Sequence, residues 1–213
     1  MRIAVVGATG MIGSRIVTEA HSRGHTVTPV SRRGDTGTAS VVRSVAADAA
    51  DPRAMAAVFA EVDVVVGATR PPPGTEAGAV AVTAGMLAAA AAVGRRRLVV
   101  IGGAGPLRVS GTERLVLDDP EWVPPAWRAF AATSVEQLQI CERHPTVDWT
   151  YVSPPAQIGP GDRTGSYQRG TTTLLTDGEG GSEISAEDLA VAIVDELETP
   201  SGQRRLTFAG AGL

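Results

Sequence analysis

No lysine and no asparagine occur anywhere in the 213 residues. All 19 basic side chains are arginine. Both missing amino acids use codons that begin with two adenines, so a GC-rich genome accounts for the gap. The chemical consequences hold whatever the cause. Schiff-base lysines, P-loop and kinase lysines, and any Tyr-Lys proton-transfer couple are excluded. N-glycosylation is excluded as well, because it needs asparagine. Cysteine occurs once, at Cys141, which rules out an internal disulfide framework and a multi-cysteine metal site. A net charge of -4 gives no footprint for nucleic acid. Long membrane-type runs are also missing. The apolar run after Met1 and Arg2 ends at Gly7 and is too short for a signal peptide. The uncharged stretch Ala77 to Val93 is mostly alanine and glycine, so it reads as a buried helix and not as a membrane span. These absences point to a cytoplasmic protein with no metal, nucleic-acid or membrane partner. Its length fits one domain over residues 1–213, with roughly 70% of the unfolded surface buried.

What is present alternates short β-branched runs with longer helical patterns. Arg2 to Val6 is a compact apolar run, as expected for a strand covered on both faces. Met11 to Arg23 places Ile12, Ile16 and Ala20 on one helical face, with Gly24 as a C-terminal cap. Strands are expected at Thr26 to Val30, Val41 to Ala46, Asp63 to Val66, Leu98 to Ile101, Trp149 to Val152 and Arg205 to Phe208. Helices are expected from Asp51-Pro52, over Glu76 to Val93, over Trp127 to Arg143, and from a capping box that starts at Ser185. Arg95, Arg96 and Arg97 fall where the negative end of a helix dipole favours cations. Trp127, Phe130, Ala131, Ser134, Leu138 and Cys141 form one stripe of their helix. The β-α-β-α order implies an α/β fold: a Rossmann-type doubly wound parallel sheet with helices on both faces. Residues 103–125 and 154–184 are rich in loop signals. They are expected to form the substrate side, the latter as a small loop-rich C-terminal region.

The strongest motif is Gly7-Ala8-Thr9-Gly10-Met11-Ile12-Gly13, between the first strand and the first helix. Glycines there permit a tight turn, close backbone approach to a pyrophosphate, and close strand–helix packing. The helix N-terminus adds N–H donors and a positive dipole end. Gly7, Thr9, Gly10, Met11, Ile12 and Gly13 are therefore cofactor-binding candidates. A glycine-rich turn without a ligand is the plain alternative. The second strand ends in Val30-Ser31-Arg32-Arg33. NAD-selective sites place an acidic residue here, whereas an arginine accommodates a 2′-phosphate. This predicts NADP(H) over NAD(H), held by Arg32 first and Arg33 second; two solvated arginines are the alternative. Gly67-Ala68-Thr69-Arg70 follows the fourth strand, at the edge where such folds bind ligands. Ala68 and Thr69 are expected to face the cofactor riboses. Arg70 either meets a phosphate or is merely exposed. Gly102, at the end of the fifth strand, is also counted among the cofactor-binding residues.

The GATGxIG spacing resembles the extended and atypical short-chain dehydrogenase/reductases. Val152-Ser153-Pro154-Pro155, then Gln157-Ile158-Gly159, Thr164-Gly165-Ser166-Tyr167 and Ile184-Ser185-x-x-Asp188-Leu189 narrow that resemblance. In this order they resemble the biliverdin-IXβ reductase and flavin reductase type, NAD(P)H-binding proteins of the NmrA-like superfamily. The resemblance spans nearly the whole chain. It implies that Asp48 contacts the adenine amino group, with a loop cap as the alternative. It implies that Pro154, Pro155, Ala156 and Gln157 line the nicotinamide pocket, or else only start a rigid loop.

One expected feature is missing. Short-chain dehydrogenases commonly carry a serine after the fifth strand and Tyr-x-x-x-Lys on the next helix. Here the fifth strand runs into Gly102-Gly103-Ala104-Gly105-Pro106, and Trp127 to Arg143 holds neither tyrosine nor lysine. Alcohol–ketone proton relay is therefore not expected. The resemblance implies hydride transfer from NADPH to a conjugated small molecule such as a flavin, quinone or linear tetrapyrrole. A delocalised acceptor spreads the incoming charge and needs less help from a protein acid. Its proton comes from solvent, or from Tyr151, Tyr167 or His144, of which Tyr167 is the catalytic candidate. Trp122, Pro124, Pro125 and Trp127 form either a lid over the acceptor or ordinary loop packing. Two other readings stay open: a redox-sensing regulator of the NmrA type that binds NADP(H) without turnover, and an isomerase or lyase. The protein is expected to be a monomer or homodimer.

Overall fold

The computed structural model describes residues 1–34, 44–70, 74–94 and 97–211. Its first strand, β1 (Arg2–Val6), shows how the two layers arise. Strand side chains alternate between faces. Ile3 and Val5 join one cluster with Ile16 and Val17 of α1 (Met11–Ser22) and Leu189, Ile193 and Leu197 of α5 (Ala186–Glu198). Ala4 and Val6 join the other cluster. There they meet Met55 and Phe59 of α2 (Pro52–Glu61), Met86 and Leu87 of α3 (Ala77–Val93), and Leu138 and Cys141 of α4 (Arg128–Glu142). Each large apolar side chain so buried contributes about 1.5–3 kcal/mol.

The remaining strands of the central sheet are β2 (Thr26–Ser31), β3 (Val45–Ala46), β4 (Val64–Gly67), β5 (Arg97–Ile101), β6 (Trp149–Ser153), β8 (Tyr167–Gly170) and β10 (Arg205–Gly210). The short strands β7 (Gln157–Gly159) and β9 (Glu183–Ser185) pair separately. Among the described residues the eight-stranded order is β3-β2-β1-β4-β5-β6-β10-β8, parallel except where β8 runs against β10. From β1 the chain winds outward to β3, then returns to β4 on the other side of β1. The crevice where the order reverses lies over the C-terminal ends of β1 and β4, which is where open α/β sheets bind ligands.

Several expectations change. The third strand reaches only Val45–Ala46 among the described residues, and 41–43 lie outside them. Arg97 does not crown a helix end. It opens β5 and pairs with Glu196 at 2.7 Å; Arg95 and Arg96 lie outside the described residues. Trp127 is half exposed and leaves its helical stripe to Ala131, Ser134, Leu138 and Cys141. The capping box is half made. Ser185 Oγ accepts the Asp188 N–H at 2.9 Å, but the Asp188 carboxylate turns to Thr164 Oγ1 and the Gly165 N–H. Residues 154–184 are not simply loop, since β7, β8 and most of the β9 approach fall within them.

Residues between β7 and β8 are held against the α1–α5 layer. Arg163 donates to both oxygens of Glu19 on α1, at 2.7 and 2.8 Å, and Arg23 donates to the same carboxylate at 2.7 Å. The Arg163 bonds, and then those of Arg23, outweigh the desolvation of this carboxyl. They hold it at about 2 against an ordinary value of 4.5. The unfolded chain therefore binds this proton at a higher pH than the folded one. Stability from Glu19 is full above pH 4.5 and is lost as pH falls toward about 2. The shift corresponds to about 3 kcal/mol at most, less because solvent screens the exposed Arg163. Glu19→Gln should flatten the fall of unfolding free energy across this acid window. A variant as acid-sensitive as wild type would remove Glu19 as the cause.

Candidate functional site

The Gly7–Gly13 turn closes over itself. Gly7 takes φ +82, a region L side chains rarely enter. Its N–H donates to Val30 C=O at 3.1 Å, and its C=O accepts the Gly10 N–H at 2.9 Å. A Cβ on Gly7 would sit 2.5 Å from Ala68 O, and one on Gly13 would sit 2.1 Å from Gly7 O. The close approaches tie the turn to β4 on one side and to α1 on the other. Gly10 is the N-cap of α1, with no side-chain cap and no acidic residue in the first turn. The leading N–H groups of α1 are therefore left to an anion. Thr9 and Gly10 are exposed, Met11 and Ile12 half-buried, and Ile12 packs on the core. This cradle fits a pyrophosphate.

Arg32 and Arg33 are exposed in the turn after β2, one strand from the cradle. The Gly34 N–H donates to Ser31 Oγ at 3.1 Å and fixes that turn. Asp48, just past β3, is exposed and accepts the Ala50 N–H at 3.0 Å. The capping contact is thus present, and the carboxylate still faces solvent.

Across the crevice, the Ala68 N–H donates to Val6 C=O at 2.8 Å, so Ala68 and Thr69 continue from β4 beside the cradle. Arg70 is exposed and lies over two rings, 4.7 Å from the Phe130 centroid and 5.5 Å from that of Trp127. Gly102 follows β5 and is half-buried. Pro154 and Pro155 follow β6 and are buried. The next two residues are pinned by Ser182: the Ala156 N–H donates to its Oγ at 3.3 Å and the Gln157 N–H to its C=O at 2.9 Å. Nothing in the local sequence pattern signals this role of Ser182. Trp122 packs with the Leu107, Val116 and Leu174 cluster, while Pro124, Pro125 and Trp127 of the expected lid are exposed.

The tyrosine and histidine candidates are engaged elsewhere. Tyr167 donates its hydroxyl to Asp195 at 2.6 Å, and burial together with that carboxylate pushes it up to about 12. Arg23, which follows α1 at the opposite edge of the sheet, holds the same Asp195 at 2.5 Å. Tyr167 therefore closes the α1–α5 layer and does not face the crevice. His144 is half-buried, with Nδ1 2.9 Å from Ile140 O. Burial pushes the Cys141 thiol up to about 12, which leaves it inert as a nucleophile. A groove of about 300 Å³ lined by Glu142, Pro145, Trp149, Arg204 and Arg205 shares no residue with the site. Among the described residues no His, Cys, Asp and Glu group could hold a metal ion. No described helix is long and apolar enough to cross a membrane.

Comparison with known proteins gives the family and the fold. Residues 7–200 match a family model described as NAD(P)H-binding. A Burkholderia pseudomallei protein provisionally described as exported is 41% identical, over 98% of this chain and 99% of that one, with TM-score 0.88. A Bacteroides thetaiotaomicron protein provisionally described as an epimerase is 28% identical, over 100% and 98%, with TM-score 0.88. A Streptococcus pneumoniae protein provisionally described as an NADH-flavin reductase is 26% identical, over 99% of both chains, with TM-score 0.86.

Proposed function

Because the chain belongs to the NAD(P)H-binding family, we propose that it is an NADPH-dependent reductase of conjugated small molecules such as flavins or quinones. The observation that carries this reading is the Gly7–Gly13 cradle at the switch point, with the exposed Arg32 and Arg33 one strand away. Bound NADPH supplies a hydride, two electrons with one proton. The chain's own residues bind and orient. The N–H groups at the start of α1 take the pyrophosphate, and Arg32 takes the 2′-phosphate. Asp48 stands at the adenine end. Ala68, Thr69 and Gly102 offer backbone along the crevice, and Pro154 to Gln157 give a rigid wall beyond it. Arg70 with Trp127 and Phe130 forms the acceptor's rim. Tyr151, Tyr167 and His144 are all engaged within the protein, so solvent supplies the second proton. The protein lowers the barrier by holding donor and acceptor together.

Steady-state NADPH oxidation with a flavin and quinone panel tests this. Tight NADPH binding without turnover of any acceptor would overturn the reductase in favour of a non-catalytic sensor. The cofactor preference has its own test. A charge-assisted hydrogen bond to phosphate contributes about 1.5–3 kcal/mol, so Arg32→Ala should cut the NADPH-over-NADH preference roughly tenfold to a hundredfold. An unchanged ratio would remove Arg32 from the site.

A further inference from the structure

Tyr151 is fully buried, and its hydroxyl ends directly under Gly102. A Cβ added at Gly102 would lie 1.7 Å from that oxygen and 2.2 Å from Tyr151 Cζ. The hydroxyl donates to Ser134 C=O of α4 at 2.7 Å and takes a hydrogen bond from the Gly103 backbone. Both functions of the oxygen are used inside the protein, so it offers no proton to the crevice. Gly105 is pressed from the same side: a Cβ there would meet Ala131 O at 2.4 Å and Ser134 Oγ at 2.6 Å. Gly102, Gly103 and Gly105 are therefore each laid against Tyr151 or α4, and Gly102 follows β5 at the C-terminal edge of the sheet, the edge on which the crevice opens.

We infer that Tyr151 is a positioning residue whose buried phenol fills the place of a serine after β5 and holds the Gly102–Gly103 backbone as the floor beneath the nicotinamide ring. The inference rests on the proposed cofactor reading and deepens it. A serine side chain at 102 has no room beside this phenol. The floor is thus backbone only and lacks a hydroxyl, which fits an acceptor that needs no protein acid at a carbonyl. Tyr151 acts through this backbone and does not touch the reacting atoms.

Wild type and Tyr151→Phe should be compared by titration with NADPH, by the emission and anisotropy of the bound nicotinamide, and by single-turnover hydride transfer. The dissociation constant should stay within roughly threefold, because the pyrophosphate and adenine are held elsewhere. The bound nicotinamide should lose anisotropy, and hydride transfer should slow roughly tenfold through misplacement of the ring. Unchanged nicotinamide emission and anisotropy in Tyr151→Phe would overturn the inference. A second pair tests the packing without turnover. Gly102→Ala should lower the melting temperature, and Gly102→Ala with Tyr151→Leu should recover part of it. No recovery would also overturn the inference. Wild type that binds no NADPH would instead overturn the cofactor reading, and the role beneath the ring with it.

Discussion

Gly13→Ala is expected to remove measurable NADPH binding. Two opposing effects of the added methyl can be weighed. Gly13 is helical, and alanine in a helix is favoured over glycine by about 1 kcal/mol. Against this, the methyl would stand 2.1 Å from Gly7 O and 2.8 Å from Gly7 C. Both are backbone atoms, so no rotamer change relieves the clash. Gly7 is itself locked between Val30 O and the approach to Ala68 O. Overpacking of this kind costs about 1–3 kcal/mol and here it wins. The relief that remains is to push the turn outward, which moves the first N–H groups of α1 off the pyrophosphate. Each charge-assisted bond lost costs about 1.5–3 kcal/mol, so two of them weaken binding by two to four orders of magnitude, roughly. Isothermal titration with NADPH beside thermal unfolding reads both terms. Gly78→Ala is the matched control, a helical glycine on α3 with nothing within 4 Å of its added Cβ. It should hold or raise stability and leave NADPH affinity unchanged. Gly13→Ala that binds within about tenfold of wild type would show that the cradle does not hold the pyrophosphate.

The difference between those two glycines marks what a sequence can carry. The order of strands and helices was legible because each is a local run. β1 begins and ends where its apolar pattern does, and Asp51-Pro52 opens α2 with the Arg53 N–H on the Asp51 carboxylate at 2.9 Å. The glycine motif was legible because turn, strand and helix are contiguous. β7, β8 and β9 were not, because Tyr167–Gly170 becomes a strand only through its antiparallel register with β10, from Thr207 opposite Gly170 to Gly210 opposite Tyr167. Arg97 looked like a helix-end cation, since the carboxylate that places it, Glu196, is distant in sequence. Tyr167 looked available because its Asp195 partner lies on another element. Tyr151 beneath Gly102 is the same case in reverse. The missing serine was visible as an absence, but what fills its place belongs to a different strand.

Glu196→Ala should lower stability by about 3–5 kcal/mol while sparing the cofactor site. Glu196 is 2% exposed. It accepts from Arg97 Nη2 at 2.7 Å and from Arg169, and it takes the Ser201 N–H at 3.1 and 3.2 Å on its two oxygens. One carboxylate thus ties the start of β5, the edge strand β8, α5 and the turn before β10. Both members of the Arg97–Glu196 pair have left most of their water, with side-chain exposures of 16% and 2%. A pair of this kind adds little net stability over an apolar substitute, yet removing one partner leaves the other charge buried and unpaired, at about 3–5 kcal/mol. That is a large share of the roughly 5–15 kcal/mol that holds a domain folded. Glu198→Ala is the comparison. Its carboxylate joins Arg23 and His25 with 34% of the side chain exposed, so screening keeps the loss below about 1 kcal/mol. Urea unfolding of the two variants separates the cases. Arg97 opens β5 at the edge of the sheet opposite the glycine cradle, so NADPH affinity of folded Glu196→Ala should stay within about twofold of wild type. A loss under about 1 kcal/mol would mean that water reaches the Arg97 guanidinium once Glu196 is gone, and that the carboxylate is a convenience of packing and not the anchor of this edge.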